Sequence, residues 1–167
     1  RSGVRSAQGA ERLRACAATS HVLACDAAQP AQDRSLLAAM QRKLPPLRGI
    51  WHTAGVLADR LVPEQDDTTL HRVYGPKAVG AWHLRRLHAT APLHACALFA
   101  SIAGLVGGGG QANYAAANVC LDALSFCQRA QGCNAVSVDW GPWAEVGMAS
   151  GDAINNRLRA RVRGLIG

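Results

Sequence analysis

The sequence predicts an α/β fold built on a doubly wound parallel sheet. Short apolar segments alternate along the chain with segments of helical periodicity. The apolar segments are nearly continuous rather than alternating, which is typical of strands covered on both faces. Strands and helices that alternate in this way form a parallel sheet with right-handed crossovers. We therefore expect a single domain over residues 1–167, with its ligand beyond the carboxyl ends of the strands.

The first half of the chain predicts two strands separated by a helix. Residues 21–25 and 49–52 are short apolar segments and favour strands. Residues 35–44 have apolar side chains at helical spacing, and the proline pair that follows ends this helix. A longer helix is expected over 67–89. Its apolar stripe includes Leu70 and, in the middle, the charged residue Lys77.

The second half predicts two more strands, over 95–101 and 135–139, with a helix over 112–131 between them. The glycine-rich segment 107–110 is expected to be a loop, because it follows a strand and precedes the helix. The four predicted strands are joined by helices throughout. This order completes the α/β pattern.

Composition excludes several functional classes. The net charge is +7, and the densest basic segment alternates arginines with apolar residues over 157–163. A solvated helix face explains that segment better than nucleic-acid binding, since only 5% of the residues are aromatic. No apolar run is long enough to span a membrane. The six cysteines have no zinc-ligand spacing, so we expect no metal site, free thiols and a reducing, cytoplasmic location.

Four polar residues stand out at the predicted strand and helix positions. Ser101 ends a strand, and Tyr114 and Asn118 share one face of the helix that follows. Lys77 could extend its ammonium to the solvent at the edge of the buried helix face, or it could place the ammonium against a polar partner or in an open cleft. Its spacing alone leaves both readings open. A phenol beside an ammonium is suited to moving a proton to or from an oxygen. No His/Asp pair accompanies Ser101, so a hydrolase triad is not predicted.

Four segments resemble ketoreductase domains of modular polyketide synthases and animal-type fatty acid synthases, which belong to the short-chain dehydrogenase superfamily. They are 48–57 (RGIWHTAGVL), 98–104 (LFASIAG), 110–118 (GQANYAAAN) and 138–148 (VDWGPWAEVGM). Ordinary short-chain dehydrogenases have a lysine four residues after the tyrosine and an asparagine on the preceding helix. Here Asn118 follows Tyr114 and Lys77 lies on the preceding helix, which resembles the synthase branch.

The resemblance implies NADPH-dependent reduction of a β-ketoacyl thioester to a β-hydroxyacyl thioester. Tyr114 would donate the proton to the ketone oxygen, and Ser101 would hydrogen-bond that oxygen. Lys77 would hold the cofactor ribose and lower the pKa of Tyr114, and Asn118 would support the proton relay. The implied partners are an acyl carrier protein, with its substrate on phosphopantetheine, and other synthase domains. The resemblance implies neither a nucleic-acid partner nor a membrane span.

The resemblance also implies a set of residues along the cofactor. An arginine suits the 2′-phosphate of NADPH, an acidic residue would meet the adenine edge, one pair of small residues would line the cofactor after the second predicted strand, and Gly141 and Pro142 would border the nicotinamide. These positions are Arg1, Asp26, Ala54, Gly55, Gly141 and Pro142. The glycine-rich turn that holds the pyrophosphate in the family is not found in this sequence. We therefore expect a partial ketoreductase domain over 1–167 that lacks the first βα unit and is inactive alone.

Product stereochemistry and the competing functions rest on further positions. The segment Leu57-Ala58-Asp59 resembles the Leu-x-Asp signature of one ketoreductase type, and Val106 stands where the other type has a tryptophan. Asp59 is therefore expected to orient the substrate toward a D-configured product. The alternatives are a non-catalytic ketoreductase-like module and a stand-alone short-chain dehydrogenase. The exchanged positions of Lys77 and Asn118 argue against the second alternative.

Overall fold

In the computed structural model, the described residues form one parallel sheet of three strands, which confirms the predicted fold class. The structure describes residues 18–87 and 93–142, together with the single positions 11 and 15. The strands are β1 (Gly49–His52), β2 (Ala95–Ser101) and β3 (Ala135–Trp140), in that spatial order. The register places His52 beside Leu98 and Ser101 beside Trp140. The carboxyl ends of β2 and β3 therefore meet at one edge of the sheet.

Helices connect the strands in the predicted order. They are α1 (Pro30–Lys43), a 3-10 turn (Val62–Glu64), α2 (Asp67–Tyr74), a π turn (Gly75–Val79), α3 (Gly80–Leu87), α4 (Ala103–Val106) and α5 (Ala112–Ala130). The bounds of β1 and β2 agree with the sequence prediction, and those of β3 and α5 differ by a single position. The short helix α4 was not predicted, because the glycines after it dominate the local sequence pattern.

The predicted strand over 21–25 is wrong. Residues 21–24 are exposed and adopt no regular structure. A strand without a partner leaves its backbone groups unpaired, and no described strand pairs with this segment. β1 lies at the edge of the sheet and pairs only with β2 among the described residues. The helix predicted over 35–44 begins earlier, at Pro30, whose fixed φ suits the first position of a helix.

The predicted helix over 67–89 is interrupted by the π turn. Asp66 caps the start of α2 through a capping box with Thr69. Leu70, which the sequence places on the buried stripe, is exposed, and Thr69 is buried instead. Pro76 has no backbone N–H to donate to the preceding turn, so the regular hydrogen bonding is lost at this point. The helix widens through the π turn and then continues as α3.

Helix α5 packs against one face of the sheet and forms most of the core. Two clusters of buried side chains lie along it. The first comprises Ala81, Leu98, Ala100, Leu121 and Leu124, and the second comprises Val73, Ala103, Tyr114 and Ala117. On the opposite face, Trp51, Val136 and Trp140 are exposed. The sequence predicts that both faces are covered, whereas the described residues cover only one.

Several features bear on the excluded classes. In the ranges that the structure describes, no helix is long and apolar enough to cross a membrane. Those same ranges contain no cluster of side chains that could hold a metal ion. The five cysteines described are all free thiols.

Candidate active site

Lys77 lies in the π turn and is 2% exposed. Its Nζ donates a hydrogen bond to the backbone oxygen of Phe99 at 2.9 Å and lies 5.5 Å from the centre of the Tyr114 ring. Burial lowers the pKa of Lys77 to about 8, and the negative charge of Asp122 acts in the opposite direction. The ammonium is thus held between the end of β2 and the start of α5.

Tyr114 lies in the first turn of α5 and is 7% exposed. Its ring packs within the cluster that includes Val73 and Ala117. Within the described residues, no hydrogen bond engages its phenolic hydroxyl. The packing therefore fixes the ring, and the hydroxyl remains available for a ligand.

Asn118 lies one turn after Tyr114 and is fully buried. Its Nδ2 donates to the backbone oxygen of Tyr114 at 2.7 Å. Its Oδ1 is buried and has no hydrogen-bond partner among the residues that the structure describes. An unsatisfied buried acceptor is costly, so this oxygen is suited to receive a hydrogen bond from water or from a ligand.

Ser101 is the last residue of β2 and is half-buried. Its Oγ accepts a hydrogen bond from the backbone N–H of Ala103 at 3.3 Å, which leaves the hydroxyl hydrogen free to donate. The backbone N–H of Ile102 donates to Trp140 at 3.1 Å and ties the end of β2 to β3. Ser101 and Gly141 therefore lie at the same edge of the sheet.

The loop after β1 is tied to the start of α5 by three hydrogen bonds. The backbone N–H of Arg60 donates to Gly110 at 2.9 Å, where a φ of 75° favours glycine. Asn113 Nδ2 donates to the backbone oxygen of Ala58 at 2.9 Å. Gln111 Nε2 donates to Asp59 Oδ2 at 3.2 Å. Asp59 is exposed, and these bonds place it beside the helix that carries Tyr114.

Asn113 is a site residue that the sequence analysis missed. It is 2% exposed, and its Oδ1 accepts a hydrogen bond from the backbone N–H of Tyr114 at 2.7 Å. One amide thus joins the loop after β1 to the first turn of α5. The available signal was an asparagine directly before the tyrosine, in a run of otherwise small residues.

The predicted cofactor residues are placed at several strand ends. Ala54 and Gly55 are half-buried in the loop after β1, and Gly141 and Pro142 are exposed directly after β3. A side chain added at Gly141 would point into open space. Asp26 lies in the turn before α1, where its Oδ1 accepts from the backbone N–H of Ala28 at 3.1 Å. Arg1 lies outside the described residues.

Comparison with known proteins gives concordant results. The family model described as "KR domain" matches residues 1–145. The chain is 45% identical over 138 residues to the spectinabilin polyketide synthase system protein NorB of Streptomyces orinoci, covering 82% of this chain and 6% of that protein. It is 43% identical over 142 residues to the mycoketide-CoA synthase of Mycobacterium tuberculosis, covering 83% of this chain and 3% of that protein.

Solved structures are similar over almost the whole chain. The PlmKR1 ketoreductase from the first module of phoslactomycin biosynthesis in Streptomyces sp. HK803 is 38% identical, with a TM-score of 0.86. That match covers 94% of this chain and 36% of the solved one. A structure of A-type ketoreductases from a modular polyketide synthase is 38% identical, with a TM-score of 0.84, and the match covers 94% and 34% of the two chains. The chain thus spans about a third of the solved relatives it matches.

Proposed function

Because this chain belongs to the KR domain family, we propose that it carries the catalytic centre of a polyketide synthase ketoreductase. The proposed reaction is NADPH-dependent reduction of a β-ketoacyl thioester held on an acyl carrier protein. The observation that carries the proposal is the Lys77 ammonium, 5.5 Å from the centre of the Tyr114 ring, at the carboxyl edge of the sheet. Other synthase domains are the expected neighbours, since the chain covers only 6% of NorB.

Tyr114 is the proposed general acid. Its hydroxyl would donate a proton to the ketone oxygen as that oxygen gains negative charge. The nearby Lys77 ammonium favours the phenolate that remains, because an adjacent positive charge stabilises the deprotonated form. The buried packing of the ring supports this role, since a proton donor must be held in place while the substrate reacts.

Ser101 and Asn118 are proposed to complete the proton pathway. Ser101 would donate its free hydroxyl hydrogen to the ketone oxygen and position it next to Tyr114. The unpartnered Oδ1 of Asn118 would accept a hydrogen bond from a water that returns a proton to Tyr114. Both groups have the hydrogen-bonding capacity that these roles need.

The residues present fit the nicotinamide half of the cofactor. The Lys77 ammonium has three N–H donors, one of which goes to Phe99, so others can meet the ribose hydroxyls. Ala54, Gly55, Gly141 and Pro142 are small or compact, which would allow a flat ring to approach the sheet edge. Asp26 is proposed at the adenine edge and Arg1 at the 2′-phosphate. When bound, NADPH supplies the hydride.

A D-configured β-hydroxyacyl product is part of the proposal. Asp59 would orient the acyl chain as it enters the cleft, and the three hydrogen bonds between its loop and α5 give that carboxylate a defined position. Val106 leaves no bulky indole at the alternative position. The face of the ketone that meets the hydride follows from the side on which the acyl arm lies.

The direct test is oxidation of NADPH by the full-length protein that carries this chain. A β-ketoacyl N-acetylcysteamine thioester is the substrate, and parallel reactions contain NADH or omit the thioester. We expect thioester-dependent oxidation of NADPH, with NADH giving much less. Absence of thioester-dependent oxidation with both cofactors would contradict the proposed function, whereas equal rates would contradict only the cofactor preference.

A further inference from the structure

His52 makes a buried contact with the backbone of the π turn. It is the last residue of β1, and only 4% of it is exposed. Its Nε2 lies 2.9 Å from the backbone oxygen of Lys77. A carbonyl oxygen can only accept a hydrogen bond, so Nε2 must carry the hydrogen. The imidazole therefore acts as a donor from the sheet to the residue that bears the ammonium.

The π turn is the part of the helix that most needs such a contact. Regular α-helical bonding is interrupted there, and π turns are rare, single-turn features that are often found at functional sites. In a helix each residue advances about 100° around the axis, as follows from 3.6 residues per turn. A return to α-helical register would therefore rotate Lys77 away from Phe99. The bond from His52 opposes that rotation by holding the Lys77 carbonyl in place.

The surroundings of His52 favour its neutral form. Burial is the largest influence and lowers the pKa of His52, and the positive charge of Lys77 acts in the same direction, while the backbone hydrogen bonds to Lys77 and Pro76 and the charge of Asp33 oppose them. Other titratable groups lie near: Arg85, Cys96 and Cys133 line the same cavity of about 290 Å³ as His52, and His83 Nδ1 lies 3.8 Å from Asp33 Oδ2. A neutral imidazole donates to the Lys77 carbonyl without adding a second positive charge beside the ammonium.

We propose that His52 is a positioning residue, which holds the π turn through its Nε2–H and thereby keeps the Lys77 ammonium beside Tyr114. It touches neither the substrate nor the reacting atoms in this role. The inference rests on the proposed ketoreductase function for its effect on catalysis. The arrangement of His52 and Lys77 itself can be measured without any turnover.

The test compares three substitutions in the full-length protein. His52→Phe keeps a ring but removes the donor. His52→Gln places an amide N–H near the position of Nε2, whereas the shorter His52→Asn places it near Nδ1. We expect His52→Phe and His52→Asn to lower kcat by about 10²-fold, the scale of a misplacement of about 1 Å. KM should change little, and His52→Gln should retain most of the activity.

A second measurement follows Lys77 directly. Burial holds the pKa of Lys77 near 8, so an ammonium released to water should return toward its ordinary value of 10.5. We expect the alkaline limb of the kcat profile to move to higher pH in His52→Phe and His52→Asn. Amine-modifying reagents react with the uncharged amine, so the pH at which Lys77 labelling reaches half its maximum should also rise in these two variants relative to the wild type and His52→Gln, as read by mass spectrometry of the lysine peptide.

The outcomes separate the two proposals. Equal kcat, an unmoved alkaline limb and equal Lys77 labelling across the three substitutions would overturn the role of His52. A wild-type protein that reduces no thioester but shows the expected labelling pattern would overturn the proposed function and leave the positioning contact supported. If His52→Phe does not fold, the comparison of His52→Gln with His52→Asn still tests the role of His52, since both side chains are polar amides that differ in where they place the N–H.

Discussion

The ammonium of Lys77 lies 5.5 Å from the centre of the Tyr114 ring, although the two residues belong to different helical elements. Lys77 reaches this point from the π turn, and Tyr114 from the first turn of α5. The hydrogen bond to Phe99 fixes the ammonium at the edge of the sheet. Two helical elements and one strand therefore hold the ammonium of Lys77 beside the phenol ring of Tyr114.

Lys77→Met is expected to abolish activity and to stabilise the fold. The pKa of Lys77 falls from 10.5 to about 8 on burial, so the buried ammonium costs on the order of 3 kcal/mol at neutral pH. Methionine has a similar length and carries no charge. Chemical unfolding of the full-length protein at pH 7 should show a higher free energy of unfolding for the variant. A lower value would mean that the bond to Phe99 outweighs desolvation.

The same shift predicts how stability depends on pH. The folded pKa of Lys77, about 8, lies below the unfolded value of 10.5, so the unfolded state binds more protons between these values. The contribution of Lys77 to stability therefore rises as pH increases from about 8 to 10.5. The stability advantage of Lys77→Met should shrink across this window in parallel unfolding curves. A constant difference between the two proteins would contradict the assigned shift.

Asn113→Ala is expected to loosen the loop after β1. The substitution removes two hydrogen bonds of a buried amide, to Ala58 and to the backbone of Tyr114. Loss of such bonds costs about 1–3 kcal/mol. Gln111→Ala is the matched control, because its bond to Asp59 is exposed and should be worth less than about 0.5 kcal/mol. Equal destabilisation by both variants, measured by denaturant unfolding, would refute the assignment.

Much of the site follows from sequence patterns, because side chains after parallel strands meet at one edge of the sheet. Ser101 and Gly141 were placed there on this ground. The spacing of four residues likewise puts Tyr114 and Asn118 on one face of α5. The position of Lys77 within an apolar stripe left open whether its ammonium reaches the rim or an open cleft, and the structure shows the residue buried. The structure also shows the polar partner that this burial requires, the backbone oxygen of Phe99.

The remaining features depend on partners that are distant in the chain. Residues 21–25 have the composition of a strand, but a strand needs a pairing neighbour, and no described strand pairs with this segment. The π turn around Pro76 contacts His52 of β1, whose Nε2 lies 2.9 Å from the backbone oxygen of Lys77, and this contact lies far away in the sequence. Asn113 and His52 resemble ordinary polar residues at element ends until their contacts with Ala58 and Lys77 are known. Periodicity carries no information on such contacts.

The stereochemical outcome is expected to depend on Asp59. We expect the full-length protein to give mainly the D-configured β-hydroxyacyl product, because the tethered Leu57-Ala58-Asp59 segment directs the acyl arm to one side. Asp59→Ala should lower the stereochemical purity of the product, and Arg60→Ala is the control from the same loop. Chiral chromatography of the product measures both effects. A predominantly L-configured alcohol from the wild type would refute the assignment.

The central claim is that Tyr114 donates the proton, and Tyr114→Phe tests it most directly. Phenylalanine keeps the packed ring and removes only the hydroxyl, which makes no hydrogen bond to the described residues. In the full-length protein we expect kcat for thioester reduction to fall by about 10²–10⁴-fold, the usual contribution of general acid catalysis, with NADPH affinity unchanged in a fluorescence titration. A variant that retains most of the wild-type kcat would show that another group donates the proton.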